Sequence, residues 1–165
     1  MVHLPMVENL RTESPPYTIL VVDDEELIRN LVVTVLSKLG YSCVTAMDGV
    51  DALHKMGENI FDAVITDIKM PNMDGIILTR EISKQYPSTP VMVMTAFDEE
   101  YSAGMAISAG AREFIKKPFS LDEFAIRLHK MIRDSETLRR LKSEKNGDQD
   151  MQDLMDELEA ALKKK

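Results

Sequence analysis

Short apolar runs alternate with stretches of helical periodicity along most of the chain. The apolar runs have the length of single β-strands and lie at residues 18–22, 41–46, 60–66, 91–94 and 113–115. Between them, apolar residues recur at every third or fourth position, as they do on the buried face of an amphipathic helix. Strands that alternate with helices in this way favour a parallel sheet with helices on both faces. The pattern therefore predicts a doubly wound α/β domain.

Glycines and prolines mark the ends of the predicted helices. The helices are expected at residues 27–39, 50–56, 76–86, 103–109 and from 121 onward. Gly40 and Gly110 end the first and the fourth of them, and Pro87 ends the third. Ser120 is the predicted N-cap of the last helix, where Glu123 would complete a capping box. A Rossmann-type half-domain would show the same alternation, but the chain contains no Gly-x-Gly-x-x-Gly sequence. We therefore expect a flavodoxin-like sheet of five parallel strands in the order 2-1-3-4-5.

Three segments of the chain differ in pattern. Residues 1–16 contain three prolines and no sustained periodicity, so we predict a flexible tail. The α/β domain occupies residues 17–133, and residues 134–165 form a helical extension. We expect a helix break at residues 146–148 and a last amphipathic segment after it. The apolar residues of that segment are Met151, Leu154, Met155, Leu158 and Leu162. The segment either folds back on its own domain or serves as a dimerisation or partner-docking helix.

Composition and charge narrow the functional classes. The net charge of −8 argues against binding to the nucleic-acid backbone. No apolar run approaches the ~20 residues of a membrane-spanning helix, and the first residues do not resemble a signal peptide. Cys43 is the only cysteine and cannot form an internal disulfide, which is typical of a reducing compartment. We therefore expect a cytoplasmic protein that binds neither nucleic acid nor membranes.

Polar residues with related chemistry follow the predicted strands. Asp23 and Asp24 end the first strand, Asp67 the third, Thr95 the fourth and Lys117 the fifth. In a parallel sheet these strand ends share one edge, so we expect the side chains to converge. Crowded carboxylates repel each other, and a hard divalent cation such as Mg²⁺ relieves the repulsion. A carboxylate nucleophile, a Mg²⁺ site, a lysine and a hydroxyl together indicate phosphoryl transfer.

Four short sequences at these strand ends carry a family resemblance. They are Val-Val-Asp-Asp-Glu at 21–25, Thr-Asp-Ile-Lys-Met-Pro at 66–71, Met-Thr-Ala at 94–96 and Lys-Lys-Pro-Phe at 116–119. With these motifs in this order, residues 17 to about 133 resemble the receiver domain of two-component response regulators. The resemblance implies a module switched by phosphorylation, in which the chain catalyses only phosphotransfer to, and hydrolysis from, its own aspartate.

The resemblance also implies a role for each site residue. Asp67 would accept a phosphoryl group from a histidine kinase or a histidine phosphotransfer protein. Asp23 and Asp24, together with Asp67 and the backbone carbonyl of Lys69, would hold Mg²⁺. Thr95 and Lys117 would bind the phosphoryl oxygens. The Lys117-Pro118 peptide bond would be cis.

The same resemblance implies how the signal leaves the site. Thr95 would move toward the phosphoryl group and Phe114 would turn inward behind it, which would reset the face formed by the fourth helix, fifth strand and fifth helix. Phe114 could equally be an ordinary core aromatic. The altered face would control a partner protein or self-association.

The sequence disfavours several other functions and leaves two organisations of the chain open. An aspartyl-nucleophile phosphatase of the haloacid-dehalogenase type needs an acid two residues after its nucleophile, where this chain has Lys69. No helix-turn-helix pattern and no Walker-type phosphate loop is present. The chain could be a stand-alone regulator or relay intermediate, or the front part of a longer regulator with a dimerising linker. Phe97, two residues after Thr95, is hypothesised to shield the acyl phosphate from water.

Overall fold

Five strands and five helices alternate along the part of the chain that the structure describes. The structure is a computed structural model and describes residues 16–95 and 100–163. The strands are β1 (Thr18–Val22), β2 (Ser42–Ala46), β3 (Ala63–Asp67), β4 (Val91–Thr95) and β5 (Glu113–Lys116). The helices are α1 (Glu26–Lys38), α2 (Gly49–Glu58), α3 (Gly75–Gln85), α4 (Glu100–Ala109) and α5 (Leu121–Lys163). The tail proposed for residues 1–16 falls almost entirely outside the described residues, and so does Phe97.

The strands form one parallel sheet in the order β2-β1-β3-β4-β5, which confirms the predicted fold. In the central pair, Val22 lies opposite Thr66, and Asp67 lies opposite Met94 of β4. The third strand begins later than predicted, at Ala63, and Ile60 before it is 93% exposed. The reason is local, since Asp62 binds both the N–H and the carbonyl of Thr18 at 2.8 Å and so aligns the two strands before the ladder starts.

Alternate residues of the central strands supply two apolar layers. On one side Leu20 and Val22 of β1 pack in a layer with buried residues of α2, α3 and α4. On the other side Ile19 and Val21 pack in a layer with buried residues of α1 and α5. Burial on both faces explains why these strands read as continuous apolar runs rather than as alternating ones.

Helix α1 buries less of its apolar surface than its periodicity suggests. Of its apolar residues, Leu36 is completely buried, whereas Leu27 and Leu31 are largely exposed. Only one face of the helix packs against the sheet. Apolar side chains are therefore left at the surface of α1 on the side that faces the start of α5.

Helix α5 corrects two expectations about the C-terminal segment. It is one continuous helix from Leu121 to Lys163, so the break predicted at residues 146–148 is wrong. The segment does not fold back on its own domain either, because every residue from 137 to 163 is exposed. The last anchors to the domain are Ser135, whose hydroxyl donates to the carbonyl of Ser88 at 3.2 Å, and the neighbouring Glu136, which hydrogen-bonds Tyr17.

The beginning of α5 is capped as predicted, in part. The backbone N–H of Glu123 donates to the Ser120 hydroxyl at 3.0 Å. The Glu123 carboxylate lies in an ion pair with Arg127 at 3.2 Å, so its side chain stabilises the first turn through the helix surface. In the described part of the chain, every helix, α5 included, is too short or too polar to cross a lipid bilayer.

Candidate functional site

The carboxyl ends of the neighbouring strands β1 and β3 bring three carboxylates together, as the strand order requires. Asp23 follows β1 directly, Asp24 comes next, and Asp67 is the last residue of β3. One ligand atom from each of the three lies within 4.8 Å of the other two. The cluster is therefore compact enough for its members to share one bound cation.

Asp23 is the buried member of this cluster. Its side chain is fully shielded from solvent, and its Oδ1 accepts the backbone N–H of Glu25 at 2.9 Å. Its Oδ2 has no hydrogen-bond partner among the described residues. Burial, opposed by the Glu25 hydrogen bond and reinforced by the charge of Asp67, raises the pKa of Asp23 to about 6. The Lys117 charge offsets this increase only in part, so a carboxylate in this position gains from a further cation.

Asp67 is held from two sides at the end of β3. Its Oδ1 accepts the backbone N–H of Ile68 at 2.8 Å, and its Oδ2 lies 3.8 Å from the Nζ of Lys117. Burial raises the pKa of Asp67, while the Lys117 ammonium works in the opposite direction. The geometry leaves Oδ2 as the carboxylate oxygen that faces the cleft and its lysine.

Thr95 and Lys117 complete the rim of the cleft. Thr95 is 1% exposed, and its hydroxyl has no hydrogen-bond partner within the described ranges. The backbone N–H of Lys117 donates to the Thr95 carbonyl at 2.8 Å, which ties the end of β5 to the end of β4. The Lys117-Pro118 bond is cis, as predicted. An unpartnered buried hydroxyl beside an ammonium group is suited to an anionic ligand.

The donor set of this cleft fits a hard divalent cation. The cleft is lined by Asp24, Glu25, Asp67, Ile68, Lys69, Thr95 and Lys117. Oxygen ligands dominate, and Asp23 Oδ2 is a buried carboxylate oxygen that lacks a partner among the described residues. Few carboxylates with room for water match the preference of Mg²⁺ rather than that of zinc or other metals that favour sulfur and imidazole ligands.

A glycine allows the loop after Asp67 to fold tightly against its own strand. The backbone N–H of Gly75 donates to the Ile68 carbonyl at 2.8 Å, and a Cβ at Gly75 would overlap the carbonyl oxygen of Asp67. Asp74 then caps α3 by accepting the N–H of Ile77 at 2.8 Å. The loop is thereby fixed directly beside the carboxylate cluster.

Two polar contacts near the site were not foreseen from the sequence. Asn72, with a φ of 68°, donates from Nδ2 to Oδ2 of Asp48 at 2.9 Å. Arg29 donates from α1 to the backbone carbonyl of Asp23 at 2.7 Å. The residue type of Asn72 is consistent with its backbone conformation, because asparagine tolerates positive φ better than most residues do. Its partner lies 24 positions away, and no local pattern could have identified it.

An apolar groove adjoins the acidic cleft. It lies between α1 and the start of α5, and Lys117 belongs to both. Ile28, Leu31, Val32, Val35, Met94, Pro118, Phe119, Leu121 and Phe124 complete its lining. Leu31 is 55% exposed. The exposed surface of α1 noted above is thus continuous with the acidic edge of the sheet.

The remaining predicted residues lie where the strand order places them. Lys69 is exposed on the rim of the cleft. Phe114 lies in β5 opposite Val93, is half-buried, and packs against the layer that contains α4. It is separate from the carboxylate cluster but shares the strand that delivers Lys117.

Comparison with known proteins extends the agreement over most of the chain. Residues 19–129 match the response regulator receiver domain family. The chain is 37% identical over 118 residues to the response regulator MprA of Mycobacterium sp. (strain KMS), a match that covers 72% of this chain and 51% of MprA. It therefore spans about half the length of this relative.

Solved structures give the same result. NtrX from Brucella abortus matches with a TM-score of 0.74 at 34% identity, over 78% of this chain and 29% of that one. A receiver domain protein from Clostridium thermocellum matches with a TM-score of 0.70 at 32% identity, over 74% of this chain and 98% of that one. The fold of the present chain, its strand-end motifs and these similarities agree. The chain belongs to the response regulator receiver domain family of two-component signalling.

Proposed function

We propose that Asp67 accepts a phosphoryl group from the phosphohistidine of a histidine kinase or histidine phosphotransfer protein. The observation that carries the proposal is the position of Asp67 Oδ2, which lies 3.8 Å from the Lys117 ammonium in a cleft also lined by Thr95, whose hydroxyl has no hydrogen-bond partner among the described residues. The N–H of Ile68 holds the other oxygen and so orients the carboxylate. A nucleophile and two groups for the incoming anion are thus preorganised.

The chemistry asks little of the protein beyond position and charge. Oδ2 of Asp67 attacks the phosphorus, the P–N bond to the donor imidazole breaks, and the bonding electrons leave with the imidazole nitrogen. Lys117 and Thr95 bind the oxygens of the group in transit. Asp23, Asp24, Asp67 and the backbone carbonyl of Lys69 would hold Mg²⁺, which supplies positive charge that neutralises the phosphoryl oxygens.

Turnover on an external substrate is not part of this proposal. Lys69 stands two residues after Asp67, where an aspartyl-nucleophile phosphatase places its general acid. A lysine ammonium at this exposed position does not replace that carboxyl group in returning a proton to each new leaving group. The reaction is confined to forming and hydrolysing the acyl phosphate on Asp67, and the phosphatase alternative is disfavoured.

The proposal is tested with a small-molecule phosphodonor such as acetyl phosphate or phosphoramidate. With Mg²⁺ present, we expect the intact mass of the chain to rise by one phosphoryl group and chelation to prevent the gain. Reductive trapping of the acyl phosphate, followed by peptide mapping, should place it on Asp67. A label on another residue, or labelling that is indifferent to chelation, would contradict the assignment.

The apolar groove is proposed as the surface to which the phosphodonor protein binds. A phosphohistidine can reach Asp67 only if its protein contacts the rim of the cleft, and Lys117 belongs to both the cleft and the groove. Exposed apolar side chains that adjoin a reactive site are typical of a protein interface. Leu31 and Leu121 present such side chains at this edge, and half-buried Ile28 lies with them in the groove lining.

Replacing Leu31 should separate docking from chemistry. We expect Leu31→Ala to lower kcat/KM for transfer from a phosphorylated histidine kinase domain by about tenfold, which corresponds to ~1.4 kcal/mol of lost contact. Labelling by acetyl phosphate should be unchanged, because Leu31 lies outside the cleft lining. Ile60→Ala, at an exposed apolar residue on the opposite end of the sheet, is the control. Equal rates for Leu31→Ala and the wild type would exclude the groove.

The output is proposed to pass through Thr95 and Phe114 to the face formed by α4, β5 and α5. Two observations support this route. The buried Thr95 hydroxyl is available to a phosphoryl oxygen, and half-buried Phe114 lies on β5 next to the strand that carries Thr95. The altered face would bind a downstream protein or a second copy, in the cytoplasm, where a single cysteine stays reduced.

A second organisation is favoured by the lengths of the relatives. PhoP of Bacillus subtilis, a transcriptional regulatory protein for alkaline phosphatase synthesis, is 34% identical over 140 residues, which cover 58% of its length. By this comparison the chain would be the front part of a longer regulator, with α5 as the linker to an output domain. The full reading frame distinguishes the two organisations.

A further inference from the structure

The part of α5 beyond residue 136 packs against no other described segment of the chain. Residues 137–163 form about seven helical turns that extend ~40 Å. Every one of them is exposed. The segment also contains Asn146 and Gly147, two weak helix formers, in its interior. A helix of this length and composition is marginal in water without packing of its apolar face.

Because α5 is continuous, its scattered apolar residues fall on one stripe. Leu141, Met155 and Leu162 are spaced by 14 and 7 positions, and Leu138, Met151 and Leu158 flank this line on its two sides. A helix broken at residues 146–148 would have placed the two halves of the stripe in unrelated directions. Continuity therefore places two apolar patches, at residues 138–141 and 151–162, on one side of the helix, separated by the polar residues 142–150, which include Asp148.

Apart from Leu138, which lies seven residues after buried Met131, the stripe does not continue the face that α5 packs against its own domain. Steps of seven residues from buried Ser135 lead to Lys142, Gln149 and Asp156, which are all polar. The stripe lies on another side of the helix, where the receiver domain does not obstruct the approach of a second helix.

Charge along the exposed segment is divided into two blocks. Residues 139–145 hold four basic side chains and one acidic one, whereas residues 148–159 hold six acidic side chains and no basic one. Over the described part of the chain, none of the basic side chains in the first block forms an ion pair. A second helix of the same sequence satisfies both blocks if it runs in the opposite direction. A parallel copy would set like charge against like charge.

We propose that residues 137–163 of two copies of this chain pair as antiparallel helices. Turning the second helix end for end about Asp148 places the basic block of each copy beside the acidic block of the other. The same rotation brings Leu138 and Leu141 opposite Leu158 and Met155 of the second copy. The two receiver domains then lie at opposite ends of the helix pair. The pairing does not depend on phosphorylation of Asp67 and can fail without affecting that assignment.

The test combines the solution mass of the full chain with the orientation of its cross-links. We expect a dimer across the micromolar range, weakened at least tenfold by Met155→Asp. Leu154→Asp should weaken it much less, because Leu154 is similarly exposed (61% against 53%) but lies about 100° around the helix from Met155, at the margin of the stripe. Thermal unfolding of the receiver domain should be unchanged in both variants, since both residues are remote from it.

Orientation is read from two single-cysteine proteins made in a Cys43→Ser background. Antiparallel pairing about Asp148 predicts that Thr137→Cys cross-links to Glu159→Cys when the two proteins are mixed, and that neither cross-links efficiently to itself. A dimer that instead yields Thr137→Cys and Glu159→Cys homodimers is parallel and overturns the proposal. A chain that stays monomeric throughout the concentration range overturns it as well.

Discussion

Asp67→Asn is expected to abolish phosphorylation of the chain by acetyl phosphate and by a histidine kinase alike. The amide has neither the charge nor the nucleophilic oxygen that attacks phosphorus. Its carbonyl oxygen can still accept the N–H of Ile68, so the end of β3 should keep its conformation. Intact mass spectrometry of the treated protein measures the loss, which should be complete within detection.

Asp74→Asn is the matched control for this variant. Asp74 lies seven residues further along the same loop, and its side chain caps α3 by accepting from Ile77. Asparagine is an equally good N-cap, so folding should be retained and labelling should equal that of the wild type. Residual labelling of Asp67→Asn at the wild-type rate would mean that the phosphoryl acceptor lies elsewhere.

Asp23→Asn is expected to stabilise the protein when no divalent cation is bound. Burial raises the pKa of Asp23 to about 6, above the ordinary value of 3.8. The folded state therefore binds the proton more tightly than the unfolded chain does. The contribution of Asp23 to the free energy of unfolding should be full below pH ~4 and should be lost as the pH rises from ~4 to ~6. The neutral amide removes this loss, and its N–H groups can donate to the neighbouring carboxylates.

The expected gain at pH 7 is on the order of 1–3 kcal/mol, the free energy that corresponds to the pKa shift. Urea unfolding in the presence of a chelator measures it, and the difference should shrink toward pH 4. With Mg²⁺ added, the wild type should gain stability and Asp23→Asn should gain little, because it lacks the buried carboxylate. Without metal, a difference in unfolding free energy between Asp23→Asn and the wild type that does not grow from pH ~4 to pH ~6 would refute this account of Asp23.

Much of the site could be predicted because its elements are local in sequence. Asp23, Asp67, Thr95 and Lys117 each end or follow a short apolar run, and in a parallel sheet such positions share one edge. Their convergence therefore needs only the type of sheet. The cis Lys117-Pro118 bond was also predicted, because the family resemblance rests on the motif that contains it.

Contacts between distant segments were not predictable in this way. The hydrogen bond from Asn72 to Asp48 joins two loops, and the local sequence of neither loop predicts it. The exposed leucines of α1 have the same periodicity as buried ones, so periodicity alone could not show that only one stripe of the helix is covered. Burial is a property of the assembled layers.

Helix α5 is the clearest case in which the structure differs from the local helix propensity of its residues. Asn146 and Gly147 are both weak helix formers, and the glycine alone destabilises a helix by about 1 kcal/mol relative to alanine. This local preference is the reason why a break is expected from the sequence. A break, however, requires a second helix to be nucleated after it, which is costlier than propagating one that already exists. The parallel sheet and its acidic edge, which is the candidate site, follow from short apolar runs that each end in a polar residue. Which helix faces stay uncovered depends on the assembled layers, because the domain buries only the helix faces that contact its sheet.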